Sequence, residues 1–262
     1  MMRKRHTYRK PHRYKKKKSI FCQRFFWLGI LALIVAGGIF YSLFFLEVFQ
    51  VKKMIVSGND KVSKEDIEFL AGQRLESKIL FFKTKSIFAL DLGQIKKDIL
   101  NYFPQIAEAK VSQGFFDAVN IVLTERQALA VWCGERCFLL DREGIIFKEV
   151  IEDKPDLVLI KNESGINELR EKVIEKELLS KVLEIKAQVE GNTGILVKEA
   201  FLVSEERLNM KTAEGWEIYF NLKGDLNWQI TELALVLEKQ IPPEQRNKLA
   251  YIDLRFSRVY YK

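Results

Sequence analysis

Cysteines, serines and paired carboxylates are the residues of this chain whose types and spacing invite chemistry. Cys133 and Cys137 stand in CGERC, a single C-x3-C pair. Structural zinc takes four ligands, so one such pair without a second pair or a nearby His is a poor metal site. Both histidines, His6 and His12, lie in the basic N-terminal tail, and the remainder of the chain has none. That removes Ser-His and Cys-His catalysis and imidazole ligation from the part able to fold. Ser164, Ser180 and Ser204 lack a histidine partner, while a Ser–Lys pairing stays open from spacing alone. Glu205-Glu206 reads as a solvated turn rather than an acid–base dyad. Asp141, in DREG, stands before a glycine, where an Asp side chain bonds to the backbone of a turn. No phosphate-cradling GxxxxGK[ST] or GxGxxG occurs. The reading is therefore a chain with no catalytic residue, no cofactor site and no metal site.

What must position these residues begins with charge. The chain carries a net charge of +8, yet residues 1–24 hold 11 Lys/Arg and no Asp/Glu. The remainder is slightly acidic, with 32 basic against 35 acidic side chains. An apolar share of 48% is enough to build cores. Residues 25–46, FFWLGILALIVAGGIFYSLFFL, carry no charge. Twenty-two helical residues span about 33 Å, against about 30 Å for a bilayer's hydrocarbon core. The run is too long for a cleaved signal peptide's apolar core. It predicts a transmembrane helix. Lys15–Lys18 and Arg24 place the N-terminus in the cytoplasm and everything after about residue 47 outside. Beside a membrane, the tail 1–24 reads as a topology signal and a contact for anionic lipid, not a nucleic-acid arm.

Val48 to Val56 alternates as a strand, and Gly58-Asn59 supplies a turn. Ser63 and Asp66 form an approximate capping box for a helix carrying Ile67 and Leu70. GQRLESKILFFKTKSIFAL follows, apolar in patches and open between loop and short strand. Asp91 caps a second helix through Ile95, Ile99 and Phe103, stopped by Pro104. IAEAKVSQGF and AVNIVLTER are two strands. The order is strand–helix–helix–strand–strand.

From Gln127 the pattern becomes short strands with tight turns at Gly134–Arg136 and Arg142–Gly144. A helix is expected over Glu168–Val189. Strands follow near Lys198–Val203, Leu208–Thr212 and Trp216–Asn221. A helix from Asp225 or Asn227 ends before Pro242-Pro243. The chain closes on YIDLRFSRVYYK, read as one strand with Ile252, Leu254 and Phe256 on the inner face. Cys133 and Cys137 flank a three-residue turn, so paired strands make them cross-strand neighbours. Outside the cytoplasm this predicts a disulfide.

Directly after a single span, VSGNDKVSKEDI, FPQIAEAKV and NIVLTER resemble a POTRA (polypeptide-transport-associated) domain. With DREGIIF and YIDLRF, the chain from residue 25 to 262 resembles the FtsQ/DivIB family of bacterial cell-division proteins. The fold expected is α+β: a basic tail (1–24), a transmembrane helix (25–46), a POTRA domain of β-α-α-β-β order (49–126) and a mainly antiparallel β domain with two helices (127–262).

The resemblance implies a non-enzymatic, single-pass scaffold of the plasma membrane at the division septum. It implies FtsB/DivIC-like and FtsL-like bitopic partners and, indirectly, the septal synthase FtsW/FtsI. In the family the docking surface lies on the terminal strand. Carried onto this chain, that points to Tyr251, Arg255, Phe256, Arg258 and Tyr260. A partner would add a strand to the sheet edge there. The POTRA region, marked by Val56, Gly58 and Asn59, is a second surface, with a family role in recruitment to the septum. Two readings of other classes stay open: a membrane-anchored extracytoplasmic cell-wall enzyme, and a POTRA-type export or assembly factor.

Overall fold

The computed structural model describes residues 24–79, 81–150, 157–161 and 168–262. The basic tail, apart from Arg24, and Ser164 lie outside them. The apolar run forms α1 (Arg24–Phe45), none of it buried. It is the one described helix long and apolar enough to cross a membrane. The chain divides into two units, the first comprising residues 1–53, 75–90 and 113–119, and the second the rest.

In the first unit the ambiguous stretch after Gly72 contributes a hairpin, β2 (Ser77–Ile79) and β3 (Phe82–Thr84), and a 3-10 turn at Ile87–Ala89. This segment caps the end of α1. The last four carbonyls of any helix lack intrahelical donors. Here Ser86 Oγ donates to Leu43 O at 2.7 Å, Gln50 Nε2 donates to Phe44 O at 3.0 Å, and Thr84 Oγ1 donates to the same carbonyl. Gln50 also accepts from Lys85 N at 2.8 Å. The strand expected from Val48 therefore starts late. Residues Glu47–Phe49 form a 3-10 turn, Gln50 makes a single bridge to Ser86, and β1 is Lys53–Ser57.

In the second unit the caps fall where the sequence places them. Ser63 Oγ accepts Asp66 N at 3.3 Å at the head of α2 (Lys64–Gly72), burying Ile67 and Ala71. Asp91 accepts Gln94 N at 2.9 Å at the head of α3 (Leu92–Tyr102), burying Ile95 and Ile99. Two long strands follow, β4 (Ile106–Gln113) and β5 (Ala118–Glu125), in a sheet of order β1-β5-β4. Gly58 is fixed by sterics as well as turn chemistry. It sits at φ +79°, and an added Cβ would stand 2.0 Å from Leu123 O.

The same unit contains a nine-stranded sheet. Its strands are β6 (Ala130–Cys133), β7 (Cys137–Leu140), β8 (Ile146–Val150), β9 (Val158–Lys161), β10 (Val197–Leu202), β11 (Arg207–Thr212), β12 (Glu217–Asn221), β13 (Tyr251–Asp253) and β14 (Tyr260–Tyr261). They lie in the order β14-β13-β12-β11-β10-β9-β6-β7-β8. Helices α4 (Lys176–Thr193) and α5 (Leu226–Lys239) cover one face. Leu179, Val182, Ile185 and Leu233 pack there with Trp132, Met210, Ile218 and Phe220. Strand β11 shows why: Leu208, Met210 and Thr212 alternate inward as the pleat requires.

The sheet is mainly antiparallel, as expected, with β6–β9, β9–β10 and β12–β13 running parallel. Two details differ from expectation. Helix α4 begins at Lys176, not Glu168. Residues 170–173 instead bond backbone to backbone with Gly144 and Ile146, which takes the donors a helix would need. The terminal strand is two strands. Asp253 ends β13, the chain turns, and β14 returns antiparallel with Ile252 opposite Tyr261 and Asp253 opposite Tyr260.

Candidate functional site

The turn between β13 and β14 is built by one aspartate. Asp253 Oδ1 accepts the Arg255 backbone N–H at 3.1 Å, which bends the chain out of strand geometry. The guanidinium of Arg255 then closes on the same carboxylate, Nε–Oδ1 2.9 Å and Nη2–Oδ2 2.6 Å. Two parallel N–H···O bonds of this kind fix the arginine's plane. Burial pushes the Asp253 carboxyl up, but Arg255 outweighs it and holds the group below the ordinary carboxylate range.

The break in the strand resets side-chain parity. Ile252 and Leu254 are buried as expected, but Phe256 is 55% exposed. Its inward assignment is therefore corrected. With no strand at 255–259, the two-residue alternation that would have buried it no longer applies. Phe256 instead meets Tyr260 edge-on, with ring centroids 5.9 Å apart. Arg255 lies 5.4 Å from the Phe256 ring centroid and 5.5 Å from that of Tyr219. Arg258 is exposed in the turn.

Tyr219, Arg207 and Asp253 belong to this surface and were missed from sequence. The parallel register of β12 and β13 sets Tyr219 beside Asp253 and Glu217 beside Tyr251. Tyr219 and Tyr251 stack with ring centroids 5.2 Å apart, and Arg207 covers Tyr219 at 5.0 Å. Burial and then Glu217 raise the Tyr219 hydroxyl's pKa, so the ring stays neutral. The alternation in RLNMKT and EIYFN puts Arg207 and Tyr219 on the outer face, but only the crossover to β13 shows that they meet Tyr251. An open groove of about 390 Å³ lies alongside, lined by Trp228, Gln229, Leu254, Arg255 and Phe256 among others.

Beyond this surface, β14 is the end of the sheet among the described residues. Lys262 and Tyr251 exchange backbone bonds, Lys262 N to Tyr251 O at 3.2 Å and Tyr251 N to Lys262 O at 3.4 Å. In an antiparallel ladder the next residue, Tyr261, then directs its N–H and C=O away from β13. That row can accept another strand.

The remaining candidates do structural work. Cys133 and Cys137 face each other in the β6–β7 register and are disulfide-linked, with Cα atoms 4.2 Å apart. Asp141 is nearly buried. Its Oδ1 accepts Glu143 N and Ile145 N, each at 2.9 Å, and its other oxygen pairs with Arg126. Arg126 also donates through Nε to Pro104 O at 3.1 Å. Three of the sequence motifs, FPQI, NIVLTER and DREG, thus converge on one ion pair. Glu206 is engaged by Lys223 rather than by Glu205. Among the described residues no three His, Cys, Asp or Glu side chains converge to hold a metal.

A long apolar N-terminal helix, a β-α-α-β-β module and a mixed sheet with an open C-terminal edge define a class, the POTRA-bearing proteins with one apolar anchor. Residues 49–126 match the family described as "POTRA domain, FtsQ-type", and residues 130–255 match "Cell division protein FtsQ/DivIB, C-terminal". The chain belongs to the FtsQ/DivIB family of cell-division proteins. It is 26% identical over 237 residues to the cell division protein FtsQ of Neisseria gonorrhoeae, covering 88% of this chain and 86% of that one. To the FtsQ of Syntrophotalea carbinolica it is 25% identical over 276 residues, covering 96% and 89%.

Proposed function

We propose that this protein is a non-enzymatic, single-pass scaffold of the division septum. Its basic tail faces the cytoplasm and its folded part lies outside. The partners are FtsB/DivIC-like and FtsL-like bitopic proteins, with the septal synthase FtsW/FtsI engaged indirectly. One observation carries the reading: among the described residues the sheet ends on β14 with an open backbone edge, flanked by exposed Phe256, Arg258 and Tyr260. A partner segment adding a strand there gains main-chain bonds, and the neighbouring aromatic rings and cations select it. The Cys133–Cys137 disulfide belongs to the oxidising side of the membrane.

The test is binding of the full chain, in lipid nanodiscs, to the external segment of the cognate FtsB-like protein. Tyr261→Pro removes the outward N–H, and Phe256→Ala with Tyr260→Ala removes the rings. Each is expected to weaken binding at least about tenfold, near 1.4 kcal/mol, with an unchanged circular dichroism spectrum. Wild-type affinity in both variants would refute docking at this edge. Mass spectrometry on unreduced protein checks the disulfide, and free thiols would count against it.

A further inference from the structure

The first unit exposes far more aromatic surface than a water-facing surface needs. Phe81 is 95% exposed, Phe115 83%, Phe82 63%, Phe116 51% and Phe88 48%. Scattered apolar residues need no explanation, but a cluster does. These five lie in the β2–β3 hairpin, the 3-10 turn at Ile87–Ala89 and the β4–β5 turn of one unit, and Phe82, Phe88, Phe115 and Phe116 connect through rings to Phe45 at the end of α1 or to Phe49 just beyond it. Phe82 meets Phe45 edge-on at 5.8 Å. Phe49 touches Phe88 at 5.5 Å and Phe116 at 6.3 Å, and Phe116 meets Phe115 at 4.3 Å.

Local backbone preference does not account for these residues. Phe81 precedes Phe82 at the start of β3 in the hairpin connection, where Asn, Gly or Asp is favoured. Phe116 sits at φ 54°, a left-handed conformation that glycine or asparagine adopts with less strain. Five lysines, Lys52, Lys53, Lys78, Lys83 and Lys85, are exposed in the same unit, against three carboxylates in its segments 46–53, 75–90 and 113–119.

Depth is set by hydrogen bonds. Ser86, Thr84 and Gln50 bind the carbonyls of Leu43 and Phe44 in the last turn of α1. Gln113 Nε2 donates to Ile87 O at 3.0 Å, and the Lys52 and Lys53 backbones donate to Asp117 O at 2.8 and 3.1 Å. The aromatic segments are thus tied to the helix end. If α1 spans the bilayer, its C-terminal turn lies at the outer hydrocarbon boundary.

We propose that residues 81–88 and 115–116 form an aromatic collar that inserts into the outer-leaflet interface around the base of α1, with the lysines at anionic headgroups. The surface is continuous with the span, and apolar rings with adjacent cations suit interfacial burial. The collar would fix the tilt of the helix in the bilayer. This inference rests on reading Arg24–Phe45 as the membrane span.

The test uses full-length protein with Cys22→Ser, reconstituted at one copy per nanodisc of phosphatidylcholine and phosphatidylglycerol. NBD fluorophores are placed singly by Phe81→Cys, Phe115→Cys, Leu33→Cys and Phe69→Cys, with the Cys133–Cys137 disulfide left unreduced. Phe69, 71% exposed on α2, is the aqueous reference. At 81 and 115, quenching by shallow doxyl lipid and at least about threefold protection from iodide relative to 69 are expected. Label at 33 is expected to respond to deep doxyl lipid. Lipid quenching at 33 with full iodide access at 81 and 115 would overturn the collar alone. No lipid quenching at 33 would remove the span and the collar with it.

Discussion

Two Arg–Asp pairs in this molecule use the same chemistry to opposite ends. Arg126–Asp141 joins residues fifteen apart and reaches Pro104 as well, with side chains only 12% and 5% exposed. Arg255–Asp253 joins neighbours two apart at the edge of the sheet, with the arginine 25% exposed. In each, one aspartate oxygen accepts backbone N–H, two at Asp141 and one at Asp253, and the carboxylate holds an arginine. The first pair closes a junction between distant segments. The second shapes a turn and leaves Phe256 in solvent. What separates a clasp from a display is sequence separation and burial, not residue type.

The largest effect is expected at the clasp. Removing one member of a buried pair leaves the other charge desolvated and unpaired, which costs about 3–5 kcal/mol. Arg126→Ala should show that loss in urea unfolding followed by circular dichroism. A loss below about 1 kcal/mol would make this pair equivalent to a surface bridge and erase the contrast. Gly144→Ala should come next, at about 2 kcal/mol or more. The glycine lies at φ +79°, and a Cβ would stand 1.9 Å from Ile174 O. Near-neutral stability there would mean that the turn can move away from residues 173–174.

The clasp was half legible in the sequence. Asp141 before Gly144 announced a turn, and Ser63, Asp91 and the pair Asp225 or Asn227, of which Asp225 is the cap, announced helix starts, because such caps are local chemistry. Arg126 closes the family-like NIVLTER stretch, but its partners gave no signal, since they are fifteen and twenty-two residues away. The edge was legible as strand-forming sequence and as family likeness, but its parity was not. One bond from the Arg255 backbone N–H to the Asp253 carboxylate ends the strand, and no alternation pattern encodes that bond. Helix α4 was extended too far because Leu169 and Val173 keep helical spacing while their neighbours bond as an edge to β8.

At the display, Asp253→Asn should cost about 1–2 kcal/mol at neutral pH. Its sign is set by the depressed carboxyl. A group with a lowered folded pKa contributes stability above its ordinary value near 4, and loses it as pH falls through the lower folded value. Denaturation curves of wild type and variant should therefore converge on acidification below about pH 4. A difference that persists unchanged in acid would assign the effect to packing instead.

The smallest stability effect and the sharpest test of the contrast fall on the same side chain. Phe256 contacts Arg255 and Tyr260 from solvent and belongs to no buried cluster. An exposed ring with two such contacts contributes about 0.5 kcal/mol to folding. Phe256→Ala should therefore leave the unfolding midpoint almost unmoved while weakening partner binding, the reverse of Arg126→Ala. A midpoint shift as large as that at the clasp would show that the turn carries the fold. Unchanged stability together with unchanged binding would leave the exposed ring without the role its position suggests.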